Sequence, residues 1–401
     1  MSEPREAKTT DALVDEAVAL GEGLGRPLRY VQLNSFYNGS TGTIMRNLHQ
    51  GLVERGVDSY IFWGRRHETT NDHEQCCATR PGYLFHGAMT RLTDRMGFYS
   101  KRDTTRLLAR LDEIDPDVVH LHNVHGYYVN VKMLFAWLAS HRCQVRWTLH
   151  DCWAFTGHCA YFTYVKCAQW KTHCAYFDKC PQLNTYPKTV CKTSCARNFE
   201  DKRRAFTSVP PERMTLVTPS RWLAGLVGES FLRDYPVEVR HNTIDKSIFK
   251  PTPSDFRERY GIGNRFMILG VASPWTERKG LGDFVRLAGE LDPDRYAIVL
   301  VGLSKQQIKR LPVGVIGLER TSSPQELAAI YTTADIFFNP TVEDNFPTVN
   351  LEAEACGTPV VTYDSGGSGE TIHAPLSRVV STFEEARVIL LEVMRAEAEI
   401  A

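Results

Sequence analysis

The run Thr341-Val342-Glu343-Asp344-Asn345-Phe346-Pro347-Thr348-Val349-Asn350-Leu351-Glu352-Ala353, closed by Cys356-Gly357-Thr358-Pro359-Val360-Val361, sets one carboxylate on a loop and a second on the helix that follows. Pro347 suits the first turn of that helix, Gly357 suits its C-terminal end, and Val360-Val361 begins the next buried strand. First-turn N–H groups have no partner within the helix and attract anions, so a diphosphate fits beside Phe346, Pro347, Thr348 and Val349. Glu352 is then placed to accept hydrogen bonds from ribose hydroxyls, and Asp344, or Glu343 one residue before it, from a sugar ring. Acids also occur at helix starts because they complement the helix dipole, so this segment alone leaves both readings open.

Other candidates follow apolar runs that read as strands, and in open parallel sheets ligands collect beyond the strands' C-terminal ends. Gly39-Ser40-Thr41-Gly42 can turn the backbone tightly before a helix that donates to phosphate; it is not a GxGxxG, so a nicotinamide cofactor is not indicated. Arg65 and Arg66, His122 and Asn123, then His150 and Asp151 occupy three further strand ends. With His120 and His125 close in sequence, His150 is the imidazole expected to line a reaction centre and to bond a sugar hydroxyl. Arg278 and Lys279 precede Gly280 and a helix, where a fixed cation can neutralise a departing diphosphate; on spacing alone a solvated surface pair is the commoner reading. Asp364-Ser365-Gly366-Gly367-Ser368-Gly369-Glu370 is a second glycine-rich loop.

Seven of the eleven cysteines fall between Cys152 and Cys195. Cys159, Cys167, Cys174 and Cys180 are the best four for a structural zinc, although the paired CxxC knuckles of a strong zinc signature are absent; free thiols or disulfides explain them as well. No cofactor is required for catalysis. The stretch Arg91, Arg95, Lys101, Arg102, Arg106 and Arg110, interleaved with Met96, Phe98, Tyr99, Leu107 and Leu108, suits a membrane surface or a solvated helix face.

These residues must be positioned by elements that the hydrophobic pattern makes plain. From Pro27 onward short apolar runs alternate with amphipathic stretches, the pattern of βα units and parallel sheets. Strands are expected at 28–33, 59–63, 118–121, 145–149, 216–218 and 237–240, then at 266–271, 297–301, 313–316, 335–339 and 359–362. The expected plan is α/β, with two Rossmann-like halves. A flexible extension (1–26), with a short helix over 11–20, precedes an acceptor domain (27–245) carrying the cysteine-rich insert (152–195), then a nucleotide-sugar domain (246–385) and a closing helix (386–401). The chain of 401 residues balances 47 basic against 47 acidic side chains, so no overall field draws it to nucleic acid. It shows neither a signal peptide's apolar centre nor a membrane-spanning run, and a cytoplasmic location, peripheral at the inner face of the cell membrane, is expected.

With these pieces in order the chain resembles the retaining glycosyltransferases of family 4, in the bacterial capsule and exopolysaccharide branch. The resemblance spans Arg29 to Ile372. It rests on Gly39-Ser-Thr-Gly42, Val119-His-Leu-His-Asn123, Leu149-His-Asp-Cys-Trp-Ala-Phe-Thr-Gly-His-Cys159, Thr218-Pro-Ser-Arg-Trp-Leu223, His241-Asn-Thr-Ile-Asp245, Arg278-Lys-Gly280, and Glu343-Asp-Asn-Phe-Pro347 through Leu351-Glu-Ala353. It implies the GT-B plan of two Rossmann-like domains facing a cleft, and hexosyl transfer from a nucleotide-diphosphate sugar to a saccharide or lipid-linked saccharide. Glu352 is implied on the ribose and Lys279 on the diphosphate, with catalytic roles for His150, Lys279 and Asp344. Gly39, Gly42, Arg278, Glu343, Phe346, Pro347, Thr348 and Val349 join the donor side; Arg65, His122, Asn123 and His150 join the acceptor side. Two departures stand out: Asp344 replaces the first of the family's two glutamates, and Ser273 occupies the place of an arginine. The residues alone also fit a zinc-containing binding module or a nucleotide-sugar epimerase.

Overall fold

Runs such as Phe266-Met-Ile-Leu-Gly-Val271 and Tyr296-Ala-Ile-Val-Leu-Val301 have almost no polar face, so as strands they must be covered on both sides, as in a parallel sheet between helices. The computed structural model describes residues 8–9, 12–65, 71–175 and 179–400, and side chains within 12–65, 71–175 and 179–391. The chain divides into two units, Met1–Asn242 and Thr243–Ala401, three residues before the boundary expected from the sequence.

The first unit carries β1 (Lys8–Thr9), β2 (Arg29–Asn34), β3 (Asp58–Trp63), β4 (Glu74–Cys76), β5 (Val118–Leu121), β6 (Gln144–Thr148), β7 (Met214–Thr218) and β8 (Val237–His241). They form one parallel sheet in the order β1-β8-β7-β6-β5-β2-β3-β4. The second unit carries β9 (Phe266–Val271), β10 (Tyr296–Val301), β11 (Val315–Leu318), β12 (Ile336–Asn339), β13 (Val360–Tyr363) and β14 (Arg378–Val380). These pair in parallel as β11-β10-β9-β12-β13-β14. Alternation shows directly in the cores: Phe266 and Ile268 join one hydrophobic cluster, and Met267 and Leu269 the cluster on the opposite face.

In each sheet the strand order reverses once, between β2 and β5 and between β9 and β12. Consecutive crossovers leave in opposite directions there, which opens a crevice at the strands' C-terminal ends.

The short helix expected over 11–20 in a mobile extension is present as a longer helix, Ala12–Leu24, and it is packed rather than mobile, burying Leu13 and Ala17 against Leu28, Tyr30, Leu48 and Val118. Its Glu16 ties it to the sheet, accepting from Arg240 at 2.7 Å and from Arg146 at 2.9 Å. Its charges looked like a solvated tail because their partners lie on β6 and β8, remote in sequence.

The cysteine-rich insert packs through Phe155, Phe162 and Trp170 into the large core of the first unit. Cys159, Cys167, Cys174, Cys180 and Cys195 line one small cavity. Within it Cys180 hydrogen-bonds to Cys159 and Cys195, and Cys195 to Cys174, all as free thiols, so Cys195 joins the four that the spacing singled out. Among the described residues no group of three or more His, Cys, Asp or Glu side chains is arranged to hold a metal ion. The thiols share their surroundings with the buried Lys202, which donates to the carbonyls of Trp153 at 2.7 Å and Thr156 at 2.9 Å.

Candidate active site

At the reversal point of the second sheet, three loops leave the adjacent strands β9, β12 and β13 and are sewn together by their backbones. Val342 N donates to Arg278 O at 2.9 Å, and Gly367 N donates to Asp344 O at 2.9 Å. Gly280 and Gly366 sit at φ +74° and +60°, and a Cβ on either would collide with the carbonyl of Pro340 or Asp344. Glycine is required at both because the loops approach too closely for a side chain.

This lattice gathers charge. Lys279 Nζ pairs with Asp344 Oδ2, Arg278 Nη1 lies 3.9 Å from the same oxygen, and Arg278 also donates to the Glu343 carbonyl. Burial alone would raise the Asp344 pKa, yet the two cations hold it below the ordinary value, so this carboxylate is ionised at neutral pH. Asp344 thus anchors the cations and is no proton donor. Glu343 is fully buried, and the Asp344 carboxylate stands beside both cations. Ser273, in the place of the family's arginine, is exposed, and Arg278 supplies the second positive charge.

The helix following Asp344 spans Thr348–Ala355 and has no side-chain cap; Pro347 stands at its N-cap rather than in its first turn. Asn350 holds it to the sheet, accepting from Asn339 at 2.8 Å and donating to Thr371 at 2.9 Å. On the same helix, Glu352 accepts from Tyr331 at 3.2 Å, and burial pushes its pKa up to about 7. Tyr331, Asn339 and Asn350 escaped the sequence reading because a residue inside a strand or helix carries no local mark of what it touches.

The reversal point of the first sheet has a different chemistry. His122 and His150 end β5 and β6, and His122 Nδ1 lies 3.1 Å from His150 Nε2, the rings nearly parallel at 14°. His122 Nε2 is 3.1 Å from Gln32 Oε1, and Gln32 Nε2 donates to Met45 O at 3.2 Å. The network fixes the His122 tautomer: the Gln32 carbonyl needs a proton from His122 Nε2, so His122 Nδ1 accepts from His150 Nε2–H. Burial lowers His120 and His122 well below the ordinary histidine value and lowers His150 to about 4. The row is neutral at pH 7 and can take a hydroxyl proton in a hydrogen bond.

His125 Nε2 pairs with Asp151 Oδ2 at 3.0 Å, and Asn123, His122 and His150 line one small cavity with them. Arg65 is not part of that lining; it stacks on Phe36 at 4.2 Å and faces Tyr83 at 5.4 Å. Arg66 lies outside the described residues. Gly39 and Gly42 belong to the first unit, not to the one holding Lys279 and Glu352. Their visible task is the turn after β2: Gly39 caps the helix Ser40–Glu54 at φ +88°, and a Cβ on Gly42 would collide with the Tyr37 carbonyl. Gln32 is the participant that sequence reasoning missed, since it sits inside β2 rather than after it.

Residues 41–198 match the model described as Glycosyltransferase Family 4, and residues 264–390 the model described as Glycosyl transferases group 1. The chain is 25% identical over 379 residues to WcaC of Escherichia coli (strain K12), named for colanic acid biosynthesis and glycosyl transfer, covering 88% of this chain and 87% of that one. In fold it is similar to sucrose-phosphate synthase from Thermosynechococcus elongatus, with a TM-score of 0.65 at 14% identity over 92% of this chain and 90% of that one. Anabaena HepE, solved in complex with UDP-glucose, superposes with a TM-score of 0.55 at 15% identity over 99% and 89%. Both structural likenesses concern the GT-B fold alone.

Proposed function

We propose that this chain, which belongs to the family 4 glycosyltransferases and is therefore an enzyme of glycosyl transfer, moves a sugar from a nucleoside-diphosphate donor to a saccharide acceptor with retention of anomeric configuration. The acceptor is carried on a lipid, and the product is a surface polysaccharide; the similarity to WcaC supports that branch. The observation that carries the donor reading is the pairing of Lys279 and Arg278 with Asp344 beside an uncapped helix start at a sheet reversal point.

In this reading the diphosphate lies against Lys279, Arg278 and the amides of Thr348 and Val349, and Glu352 accepts from the ribose. Neutral His150 hydrogen-bonds a sugar hydroxyl. The acceptor oxygen bonds to the anomeric carbon as the bond from that carbon to the diphosphate breaks, and the acceptor's proton passes to the departing phosphate oxygen. Lys279 and Arg278 stabilise the charge that gathers there, which requires fixed positive charge and no acid–base residue.

The test is incubation with a panel of UDP-, GDP- and dTDP-sugars and lipid-linked saccharides, following nucleoside diphosphate release and the product's anomeric coupling by NMR. Release that depends on the acceptor, with the donor's configuration kept, is expected. Inversion contradicts the mechanism; donor conversion without an acceptor contradicts transfer.

A further inference from the structure

The helix Arg80–Thr93 is amphipathic the wrong way round. Toward the protein it buries His86 and Thr90, while Leu84, Phe85 and Leu92 stand 56%, 57% and 60% exposed. A surface helix normally buries its apolar side and presents its polar one. The inversion is built in rather than incidental: His86 Nδ1 bonds to Ser100 Oγ at 2.8 Å, and its Nε2 accepts from Gly97 N at 3.0 Å. The polar face is thereby fastened inward. Phe85 rests edge-on against Tyr99, ring centroids 6.0 Å apart, which holds it outward. The segment Thr189-Val190 joins this face by hydrogen bonds to the Arg91 carbonyl, adding Val190 at 60% exposure.

Cations surround the apolar strip. Arg80, Arg91, Lys101, Arg102 and Arg106 are exposed, as are Lys188 and Lys192 on the adjoining segment. Between residues 80 and 106 the acids are Asp94 and Asp103, and both are buried, so the segment shows solvent no carboxylate. A groove of about 870 Å³ runs between the start of this helix and the start of Lys101–Ile114, lined by Phe85, Tyr99, Lys101, Arg102 and Arg106.

We infer that this face docks on an anionic lipid bilayer, with Leu84, Phe85, Leu92 and Val190 entering the headgroup boundary and the surrounding lysines and arginines meeting lipid phosphates. The charge complementarity selects lipid: an apolar strip ringed by one sign of charge suits a surface that offers acyl chains beneath phosphate. Tyr83, on the same helix, faces Arg65, which stacks on Phe36, so the docking helix abuts the loops that follow β2 and β3. The purpose of docking rests on the lipid-linked acceptor reading; the adhesion itself does not.

Flotation of the full chain with vesicles of phosphatidylglycerol and phosphatidylethanolamine, compared with phosphatidylcholine vesicles, tests it. Preference for the anionic vesicles by about tenfold or more is expected, falling with salt. Leu84→Ser with Phe85→Ser, and separately Lys101→Glu with Arg102→Glu, should each lower binding by about tenfold while leaving the melting temperature and transfer to a soluble acceptor unchanged. Equal binding to neutral vesicles, or anionic binding undiminished in both variants, overturns the inference. Vesicle binding without any transfer activity would instead sink the enzymatic reading and leave this one standing.

Discussion

The chain builds one architectural feature twice, a parallel sheet whose strand order reverses, and fills the two crevices with opposite chemistry. In the first unit the reversal point holds imidazoles stripped of charge, strung from Gln32 through His122 to His150. In the second it holds a lysine and an arginine fixed by a buried carboxylate. A neutral row suits hydroxyls, which it can meet by hydrogen bonding without adding a field; a clamped cation pair suits an anion that grows during reaction. The fold is shared, so the difference resides in the residues at the strand ends.

The sharpest way to break this contrast is to remove the cation. Lys279→Met should lower kcat/KM by about 10²–10³ and weaken nucleoside diphosphate binding, with Lys279→Arg recovering part of both. His150→Ala should cost about 10–100-fold in kcat/KM, carried by the acceptor terms, with donor binding unchanged. Steady-state kinetics with each substrate varied in turn separates the two.

Stability against pH gives a subtler test, because the units respond with opposite sign. Burial lowers His150 from 6.5 to about 4, so the folded state binds fewer protons than the unfolded one, and stability is present above pH 6.5 and lost as pH falls toward 4. Glu352 is raised from 4.5 to about 7; its contribution is complete below pH 4.5 and is lost as pH climbs through 7. Glu352→Gln should therefore stabilise at pH 8 by up to about 3 kcal/mol and do little at pH 4, while His150→Gln should help at pH 5 and not at pH 8. Denaturant unfolding across pH reads both.

The smallest effect concerns the thiol cluster. Cys195→Ser should cost about 1–2 kcal/mol, and Cys167→Ser about 0.5 kcal/mol or less, since Cys195 is buried and hydrogen-bonds to Cys174 and Cys180, whereas Cys167 is only half-buried. Equal costs would restore the cysteine set that spacing favours.

How far each crevice could be read in advance follows the same division. Lys279, Asp344, Glu352, His122 and His150 all lie at or just beyond the ends of apolar runs, or on a short helix bounded by Pro347 and Gly357, so period and punctuation exposed them. Gln32 and Asn350 sit within elements, where the pattern reports which face is buried and nothing of the partner. Edge strands β4 and β14 have three residues each and only partial burial, too little for a strand signal. The helix Ala12–Leu24 and the thiol cluster depend on contacts between distant segments, such as Glu16 with Arg240. Local reasoning sees such contacts only as unspent charge or spare cysteines. The basic and apolar mixture over 91–110 was legible, but the inverted helix Arg80–Thr93 was not, since the side that faces outward is set by His86 and its two partners.

Calorimetric titration of nucleoside diphosphates into wild type, Lys279→Met, Glu352→Gln, His122→Ala and His150→Ala tests the central assignment most directly. Binding lost in the first two variants and retained in both histidine variants is the result predicted. Binding that survives Lys279→Met, or that vanishes with His150→Ala, would contradict the assignment of anion to one reversal point and hydroxyl to the other.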